Sequence, residues 1–427
     1  MMMNVLIVGS GGREHAFTWK ASQSDLVEKI FVAPGNAGTS LEPKAENINI
    51  SASNIDALVS FSKKENIDLV IVGPEDPLVN GITDKFKNAG IRCFGPESLG
   101  AKLEGSKDFA KAFMKRHNIP TASYESFTNA DEAKKYIQEN ELPQVIKADG
   151  LAAGKGVVIA EDYETAFETI DEFISETKYG DASRKIIIED FLEGQELSYI
   201  VMVNGTEYLP LATSQDHKTI GEGDVGLNTG GMGAYSPVPF VNDELDIKIK
   251  KEVIEPTVRG LFKDGIAFRG FLYAGLMIDS NLNTKVLEYN CRFGDPETQP
   301  IMLRLKSDLI DMIQACFSSN ISHYGIEWDE KSAMGVVLSS SGYPESYETG
   351  KEISGLDTLF DNDDIKVFHS GTLIENNNIL TNGGRVLCVT ALGNGLSESY
   401  DNAYSAVKQI NWDGKYYRKD IGFRVMK

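Results

Sequence analysis

The chain has 427 residues, of which 41% are hydrophobic and 25% charged, a composition typical of a soluble globular protein with two to four domains. Its formal net charge of −21 argues against a nucleic-acid-binding protein, and no apolar run reaches the ~20 residues of a membrane helix. The four cysteines are far apart and no basic leader precedes the first strand, so we expect a cytoplasmic protein without zinc or disulfides.

The first hundred residues alternate short apolar strands with helical segments, which predicts a mostly parallel sheet. The strand over residues 5–9 leads into a glycine-rich turn and a helix, an arrangement whose backbone N–H groups favour an anion. NAD binding is disfavoured, because Glu14 stands where the dinucleotide fingerprint requires its third glycine. A second polar turn, over residues 73–77, follows another strand at the edge where open sheets bind ligands.

The next segment places lysines beside glycines. Ser106 predicts the N-cap of a helix that runs to about residue 117, and Lys107 lies in its first turn. A lysine is unfavourable for the helix dipole at that position, and a phosphate partner would explain it. Thr128 and Asp131 resemble a capping box for the following helix.

A hairpin-like unit follows, in which two strands flank a glycine-rich turn over residues 150–156. Lys147 lies inside the first of these strands, where a lysine is rarely buried without a partner. The turn lacks the GxxxxGK[ST] pattern of a Walker site and is followed by a strand, so a flap over phosphates fits better. A further strand and an acidic turn carry Glu189 and Glu196.

The segment from residue 216 to residue 236 combines polar side chains with glycines. His217 could act as a general base, although a histidine between aspartate and lysine is more often a surface residue. Glycines at positions 230, 231 and 233 are expected to let the backbone approach a ligand, rather than to serve packing. Beyond residue 331, alternating strands predict a small α+β domain that closes the ligand site and has no evident chemistry of its own.

The stretch over residues 285–299, KVLEYNCRFGDPETQ, predicts a strand that ends in a dense polar turn. Because strand side chains alternate between faces, Glu288 and Asn290 share one face with Cα atoms roughly 7 Å apart, and Leu287 and Tyr289 face a core. Two oxygen donors without a nearby histidine or cysteine suit Mg²⁺, or Mn²⁺, held between the protein and phosphates.

These segments together resemble the phosphoribosylamine–glycine ligase (glycinamide ribonucleotide synthetase) family of ATP-grasp enzymes, over essentially the whole chain. The motifs that carry the resemblance are VGSGGREHA, APGNAGT, VGPEDPL, LEGSKDFAK, VIKADGLAAGKGV, TSQDHK, NTGGMGAYSP and LEYNCRFGDPETQ.

The resemblance implies an α/β and α+β multidomain protein with an ATP-grasp fold. Its units would be an N-terminal Rossmann-like sheet domain (1–103), a central ATP-grasp domain (104–122 and 193–328), a flap domain (123–192) and a C-terminal α+β domain (329–427). It implies the ATP-dependent ligation of glycine to 5-phosphoribosylamine through a glycyl phosphate, by a monomer or weak homodimer that binds neither nucleic acid nor membrane. Two alternatives stay open: another ATP-grasp carboxylate–amine ligase with a different acceptor, and a non-catalytic nucleotide-binding protein.

The resemblance also implies roles for individual residues. The catalytic residues would be Arg292, Asp295 and Asp216, and the metal ligands would be Glu288 and Asn290. ATP would contact Lys107, Lys147, Gly154, Lys155, Gly156, Glu189, Phe191, Leu192 and Glu196. Glycine and the sugar phosphate would contact Gly9, Ser10, Gly11, Gly12, Arg13, Pro74, Glu75, Asp76, Asn228, Gly230, Gly231, Gly294 and Glu297.

Overall fold

The computed structural model describes residues 2–152, 156–318, 321–359 and 362–426. Four sheets of four to six strands and a two-stranded ribbon form its framework. None of the helices in these ranges combines the length and the apolar character that a membrane crossing requires. The architecture is mixed α/β and α+β, as the sequence predicts.

The N-terminal unit is a parallel five-stranded sheet in the order β3-β2-β1-β4-β5. Its strands are β1 (Met3–Gly9), β2 (Val27–Pro34), β3 (Ala45–Asn47), β4 (Leu69–Val72) and β5 (Arg92–Phe94). The helices are α1 (Gly12–Ser22), α2 (Ile55–Lys64), α3 (Glu75–Val79), α4 (Ile82–Asn88) and α5 (Ser98–Gly105). The side chains of residues 5–8 are fully buried, because alternate residues of β1 pack into separate core clusters on the two faces of the sheet.

The second unit is an antiparallel sheet in the order β6-β9-β7-β8, which follows a helix of 10 residues. Its elements are α6 (Lys107–Arg116), β6 (Tyr124–Phe127), α7 (Ala130–Glu139), β7 (Gln144–Ala148), β8 (Val157–Ala160), α8 (Tyr163–Ile170) and β9 (Ile186–Asp190). The predicted capping box at Thr128 is wrong. The N-cap of α7 is Asn129, whose extended backbone lets its side chain accept hydrogen bonds from the N–H groups of Asp131 and Glu132.

The central sheet is antiparallel and has the order β11-β10-β14-β15. The strands of this region are β10 (Gln195–Asn204), β11 (Glu207–Pro210), β12 (Gln215–Asp216), β13 (Gly233–Ser236), β14 (Arg269–Ile278) and β15 (Thr284–Asn290). The helices are α9 (Asp243–Ile249), α10 (Glu255–Lys263), α11 (Thr298–Arg304) and α12 (Leu309–Phe317). Strands β12 and β13 leave this sheet and extend the one formed by the C-terminal residues.

The C-terminal sheet has the order β12-β13-β16-β20-β17, and β21 also pairs with β16. Strands β18 and β19 form a separate two-stranded ribbon. The further elements of this region are β16 (Ser332–Ser340), β17 (Ile365–His369), β18 (Thr372–Glu375), β19 (Asn378–Thr381), β20 (Arg385–Gly393), α13 (Leu396–Val407) and β21 (Lys415–Tyr416). Because β12 and β13 belong to it, this sheet carries Asp216 and one end of the glycine-rich segment.

Close packing, and not only ligand approach, accounts for one glycine of that segment. A Cβ atom at Gly233 would lie 2.7 Å from the backbone oxygen of Gly335 on the neighbouring strand, so the expectation that packing plays no part is wrong there. We expect Gly233→Ala to lower the free energy of unfolding by about 1–3 kcal/mol, the usual cost of overpacking, as measured by urea unfolding. Gly325→Ala is the control, since a Cβ atom there meets nothing within 4 Å, and equal effects would contradict the packing argument.

Candidate active site

The two predicted metal ligands lie at the end of β15 with their side chains unengaged. Glu288 pairs with Gly275 and Asn290 with Tyr273, so both project from the same face of the strand. Within the described residues, no hydrogen bond or ion pair holds either side chain. Two oxygen donors two residues apart, free of other partners, fit a hard divalent cation.

Leu287 departs from the sequence expectation. A bulge leaves this residue without a partner between the Glu288–Gly275 and Val286–Leu276 pairs. Its side chain is half-buried, whereas Tyr289 is in the core as expected. The irregularity cannot be seen in the alternating pattern of the sequence, because a bulge adds a residue without changing the residue types.

Cations surround the carboxylate of Glu288. Burial by itself raises the pKa of Glu288, but the ammonium groups of Lys218, Lys147 and Lys107, followed by the guanidinium of Arg292, hold it below its ordinary value. The carboxylate is therefore ionised, and these cations form a positive environment in which phosphate groups could be stabilised.

Lys107 reaches this region from the first turn of α6. The Ser106 hydroxyl accepts a hydrogen bond from the N–H of Phe109 at 3.2 Å, which confirms the predicted N-cap. The Lys107 ammonium donates to the backbone oxygen of Gly150 at 3.2 Å, at the start of the glycine-rich turn. Burial lowers the pKa of Lys107, although Glu288 and Asp149 oppose this effect.

Lys147 is buried in β7 and has the partner that its burial requires. Its ammonium forms an ion pair with Glu189 on β9, its diagonal neighbour across the sheet. Lys111 forms a second ion pair with the same carboxylate. The sequence interpretation missed Lys111, yet a signal exists: it lies among Ala110, Phe113 and Met114 on the buried face of α6.

The remaining predicted ATP contacts lie in two segments, one after β9 and one in the turn between β7 and β8. Phe191 and Leu192 keep exposed surface, and Glu196 forms an ion pair with Lys218 at 2.6 Å. Gly156 closes the β7–β8 hairpin, since its backbone oxygen accepts a hydrogen bond from the N–H of Ala148 at 2.8 Å. The predicted contacts Gly154 and Lys155 lie outside the described residues.

Arg292 is held by two carboxylates. Its Nε donates to Glu75 at 3.2 Å, and its Nη2 lies 2.9 Å from Glu104, which also accepts the N–H of Cys291. Burial would raise the pKa of Glu75, but Arg292 and Arg13 lower it to about 2. Glu75 begins α3 after Pro74, and its neighbour Asp76 is exposed to solvent. Glu104 was not predicted as a site residue.

Asp216 and His217 differ in their surroundings. Burial raises the pKa of Asp216 to about 8 despite nearby Lys218, with Glu297 contributing in the same direction. The expectation of a surface histidine is wrong: His217 is fully buried, and its Nε2 accepts a hydrogen bond from the N–H of Gly422 at 3.0 Å. Burial lowers the pKa of His217 to about 3, so the ring is neutral.

The first glycine-rich turn is occupied by a side chain of the protein. The N–H of Gly11 donates to the Glu14 carboxylate at 2.5 Å, and Arg13 Nε donates to the same carboxylate at 2.6 Å. Arg13 also donates to the backbone oxygen of Phe293 at 3.0 Å. Part of the anion-binding capacity of the predicted sugar-phosphate site, whose members include Gly9, Ser10 and Gly12, is thus taken by Glu14.

The C-terminal unit contributes contacts to the site, in agreement with the expectation that this domain closes it. Arg385 Nη1 donates to the backbone oxygens of Gly230 at 2.7 Å and of Asp295 at 2.6 Å. The Asp295 carboxylate accepts from Gln299 Nε2 at 2.8 Å and from the N–H of Arg13 at 3.3 Å. Arg385 therefore ties the glycine-rich segment to the polar turn that follows β15.

Other predicted substrate contacts lie around the same turn. A Cβ atom at Gly294 would lie 2.3 Å from Glu297 Oε2, so a larger residue there would displace that carboxylate. Glu297 accepts a hydrogen bond from the hydroxyl of Ser198 at 3.0 Å. Asn228 forms an isolated backbone bridge with Thr219, and Gly231 has a φ of 113° that favours glycine.

Models of three domain families match the chain. They are described as phosphoribosylglycinamide synthetase N domain, at residues 3–104, ATP-grasp (A) domain, at residues 105–298, and C domain, at residues 333–424.

Curated relatives and solved structures match over nearly the full length. The phosphoribosylamine–glycine ligase of Vibrio parahaemolyticus is 54% identical and that of Escherichia coli K12 is 53% identical, and each alignment covers at least 99% of both chains. The crystal structure of phosphoribosylamine–glycine ligase from Thermotoga maritima is 34% identical, with a TM-score of 0.84, and the match covers 98% of this chain and 100% of that one. A biotin carboxylase domain from Hydrogenobacter thermophilus has a TM-score of 0.75 at 14% identity, over 98% of this chain and 92% of that one, and shows similarity of fold alone.

Proposed function

The chain belongs to the phosphoribosylglycinamide synthetase family, and from that premise we propose that it ligates glycine to 5-phosphoribosylamine in an ATP-dependent reaction of purine biosynthesis. The products are glycinamide ribonucleotide, ADP and phosphate. The observation that carries this proposal is the grouping of Lys107, Lys147 and Lys218 around the unengaged Glu288 carboxylate. Such a group of charges can hold the polyphosphate of a nucleotide together with a divalent cation.

The chemistry requires activation of a carboxylate. A carboxylate oxygen of glycine attacks the γ-phosphorus of ATP, the bond to the β-phosphate oxygen breaks, and ADP leaves. The amine of 5-phosphoribosylamine then attacks the carbonyl carbon of glycyl phosphate, loses a proton, and expels phosphate. The protein mainly positions the reactants and stabilises negative charge, so no side-chain nucleophile is needed.

The divalent cation of the reaction would bind to Glu288 and Asn290. Their unengaged oxygen atoms fit Mg²⁺, and Mn²⁺ has the same preference for oxygen ligands. The described residues contain no group of three or more His, Cys, Asp or Glu side chains placed to hold a metal, so phosphate oxygens would supply the other ligands. When bound, the cation neutralises charge that develops on the transferred phosphoryl group.

The remaining assignments are proposals that follow the same geometry. Lys107 and Lys147 contact the phosphates of ATP, and the segment after Glu189 receives the adenine through its backbone. Arg292 and Asp295, with Asp216 and the segment over residues 228–234, surround glycine and the acyl phosphate. The turn over residues 9–13 helps to hold the sugar phosphate, and the segment over residues 74–76 contacts substrate.

The boundaries of the four units, the cytoplasmic location and the monomeric or weakly dimeric state also remain proposals. The location is supported by four buried free thiols, which suit a reducing compartment.

Isotope transfer tests the proposed path. With oxygen-18 in the glycine carboxylate, we expect one labelled oxygen in each inorganic phosphate and none in the nucleotide, because the carboxylate oxygen leaves with the phosphoryl group. Mass spectrometry of the phosphate and the nucleotide, after complete turnover with glycine and 5-phosphoribosylamine, measures both. AMP and pyrophosphate as products, or unlabelled phosphate, would contradict the proposal. Reactions without the amine acceptor serve as the control.

A further inference from the structure

Two buried lysines share one buried carboxylate beside the proposed nucleotide site. Glu189 on β9 is 2% exposed, and its two carboxylate oxygens form ion pairs with Lys147 on β7 and with Lys111 on α6. Burial by itself would raise the pKa of Glu189, but the two ammonium groups lower it below its ordinary value. The carboxylate is therefore ionised and needs at least one cationic partner at all times.

The two lysines differ in how firmly they are held. The Lys111 side chain is 3% exposed, and its ammonium also donates to the hydroxyl of Thr121 at 2.7 Å. That hydroxyl in turn donates to the backbone oxygen of Val286 at 2.7 Å, in the strand that carries Glu288. Lys111 is thus fixed to the central sheet by interactions that do not involve the proposed ATP site.

Lys147 has fewer partners and faces the proposed site. Apart from Glu189, its ammonium makes only a 3.5 Å contact with the backbone oxygen of Leu287 among the described residues. It is close enough to Glu288 and Lys107 to shift the pKa of each. Within the described residues, the Lys147 ammonium therefore has an unused N–H donor for the phosphates of the proposed site.

We propose that Lys111 is a positioning residue, the fixed counter-ion of Glu189, which allows Lys147 to turn from Glu189 to the phosphates of a bound nucleotide. This inference rests on the proposed function. A nucleotide phosphate competes with Glu189 for the Lys147 ammonium. Without Lys111, the buried Glu189 carboxylate would be left unpaired whenever the Lys147 ammonium turns to the phosphate. The free-energy cost of that unpaired charge would weaken ATP binding. With Lys111 in place, the carboxylate stays paired throughout.

A set of variants at Lys111 and Glu189 separates this role from a general contribution to folding. For Lys111→Met we expect the dissociation constant and the KM of ATP to rise about 10- to 100-fold, with a smaller change in kcat, because an unpaired buried charge forms only when nucleotide binds. Lys111→Arg should retain most of the affinity. In the Glu189→Gln protein, Lys111→Met should change the dissociation constant less than about twofold relative to Glu189→Gln alone, since no buried charge remains to be left unpaired. Lys115→Met, an exposed lysine on the same helix, is the matched control.

Calorimetric titration of each purified full-length variant with ATP provides the measurement. Unchanged ATP binding by Lys111→Met, or an equally large loss when Lys111→Met is added to Glu189→Gln, would overturn the inference. If Lys111→Met does not fold, the substitution is made in the Glu189→Gln protein, where it should change the dissociation constant less than about twofold. A larger change there would overturn the inference as well. A wild-type protein that does not bind ATP would instead overturn the proposed function, and this inference with it.

Discussion

Glu288→Gln is expected to reduce kcat for glycine-dependent ADP release by about 100- to 1,000-fold, which corresponds to about 3–4 kcal/mol of transition-state stabilisation. Glutamine keeps the volume of the side chain and removes its charge. The carboxylate has no hydrogen-bond or ion-pair partner among the described residues, so its loss should leave the fold intact. What is lost is the charged ligand of the proposed cation.

A coupled assay for ADP across a range of Mg²⁺ concentrations measures this effect, and circular dichroism checks the fold. Glu141→Gln, an exposed acid distant from β15 in sequence, is the matched control for removal of one negative charge. The variant should need more Mg²⁺ to reach half of its maximal rate. Near-normal turnover of Glu288→Gln at limiting Mg²⁺ would exclude Glu288 as a metal ligand.

The parallel N-terminal sheet and the hairpin around residues 150–156 could be predicted from local patterns. Residues 5–8 are a continuous apolar run because β1 is covered on both faces, and such a run is visible in sequence. The cap of α6 was equally clear, since Ser106 directly precedes an amphipathic pattern. The cap of α7 was misplaced by one residue, because Thr128 and Asn129 are both good capping residues and backbone conformation decides between them.

The parts of the candidate site that sequence could not supply depend on contacts between distant segments. Arg385 meets Gly230 only because β13 joins the C-terminal sheet, and no local pattern indicates that pairing. The burial of His217 has the same origin, since its hydrogen-bond partner is Gly422. The shared strand face of Glu288 and Asn290 could be predicted, because it is local and depends only on strand alternation.

Lys107→Met is expected to reduce kcat/KM for ATP by about 100-fold or more, the usual cost of removing one donor to a developing negative charge in a preorganised site. Among the described residues, the Lys107 ammonium donates one hydrogen bond, to the backbone oxygen of Gly150. Methionine retains the apolar stem of the lysine, so the melting temperature should change little.

Steady-state kinetics with ATP as the varied substrate, together with a thermal melt of each protein, measures both effects. Lys102→Met, which removes an exposed lysine from the preceding helix, controls for the loss of one positive charge. A shared small effect of the two substitutions would mean that Lys107 acts only through the net charge of the protein. A large loss confined to Lys107→Met, without a change in melting temperature, favours direct contact with the nucleotide, because the Lys107 side chain is half-buried and lies close enough to Glu288 for that carboxylate to oppose the lowering of its pKa by burial. A half-buried ammonium with a single hydrogen bond among the described residues is best explained by an anionic partner that arrives with the substrate.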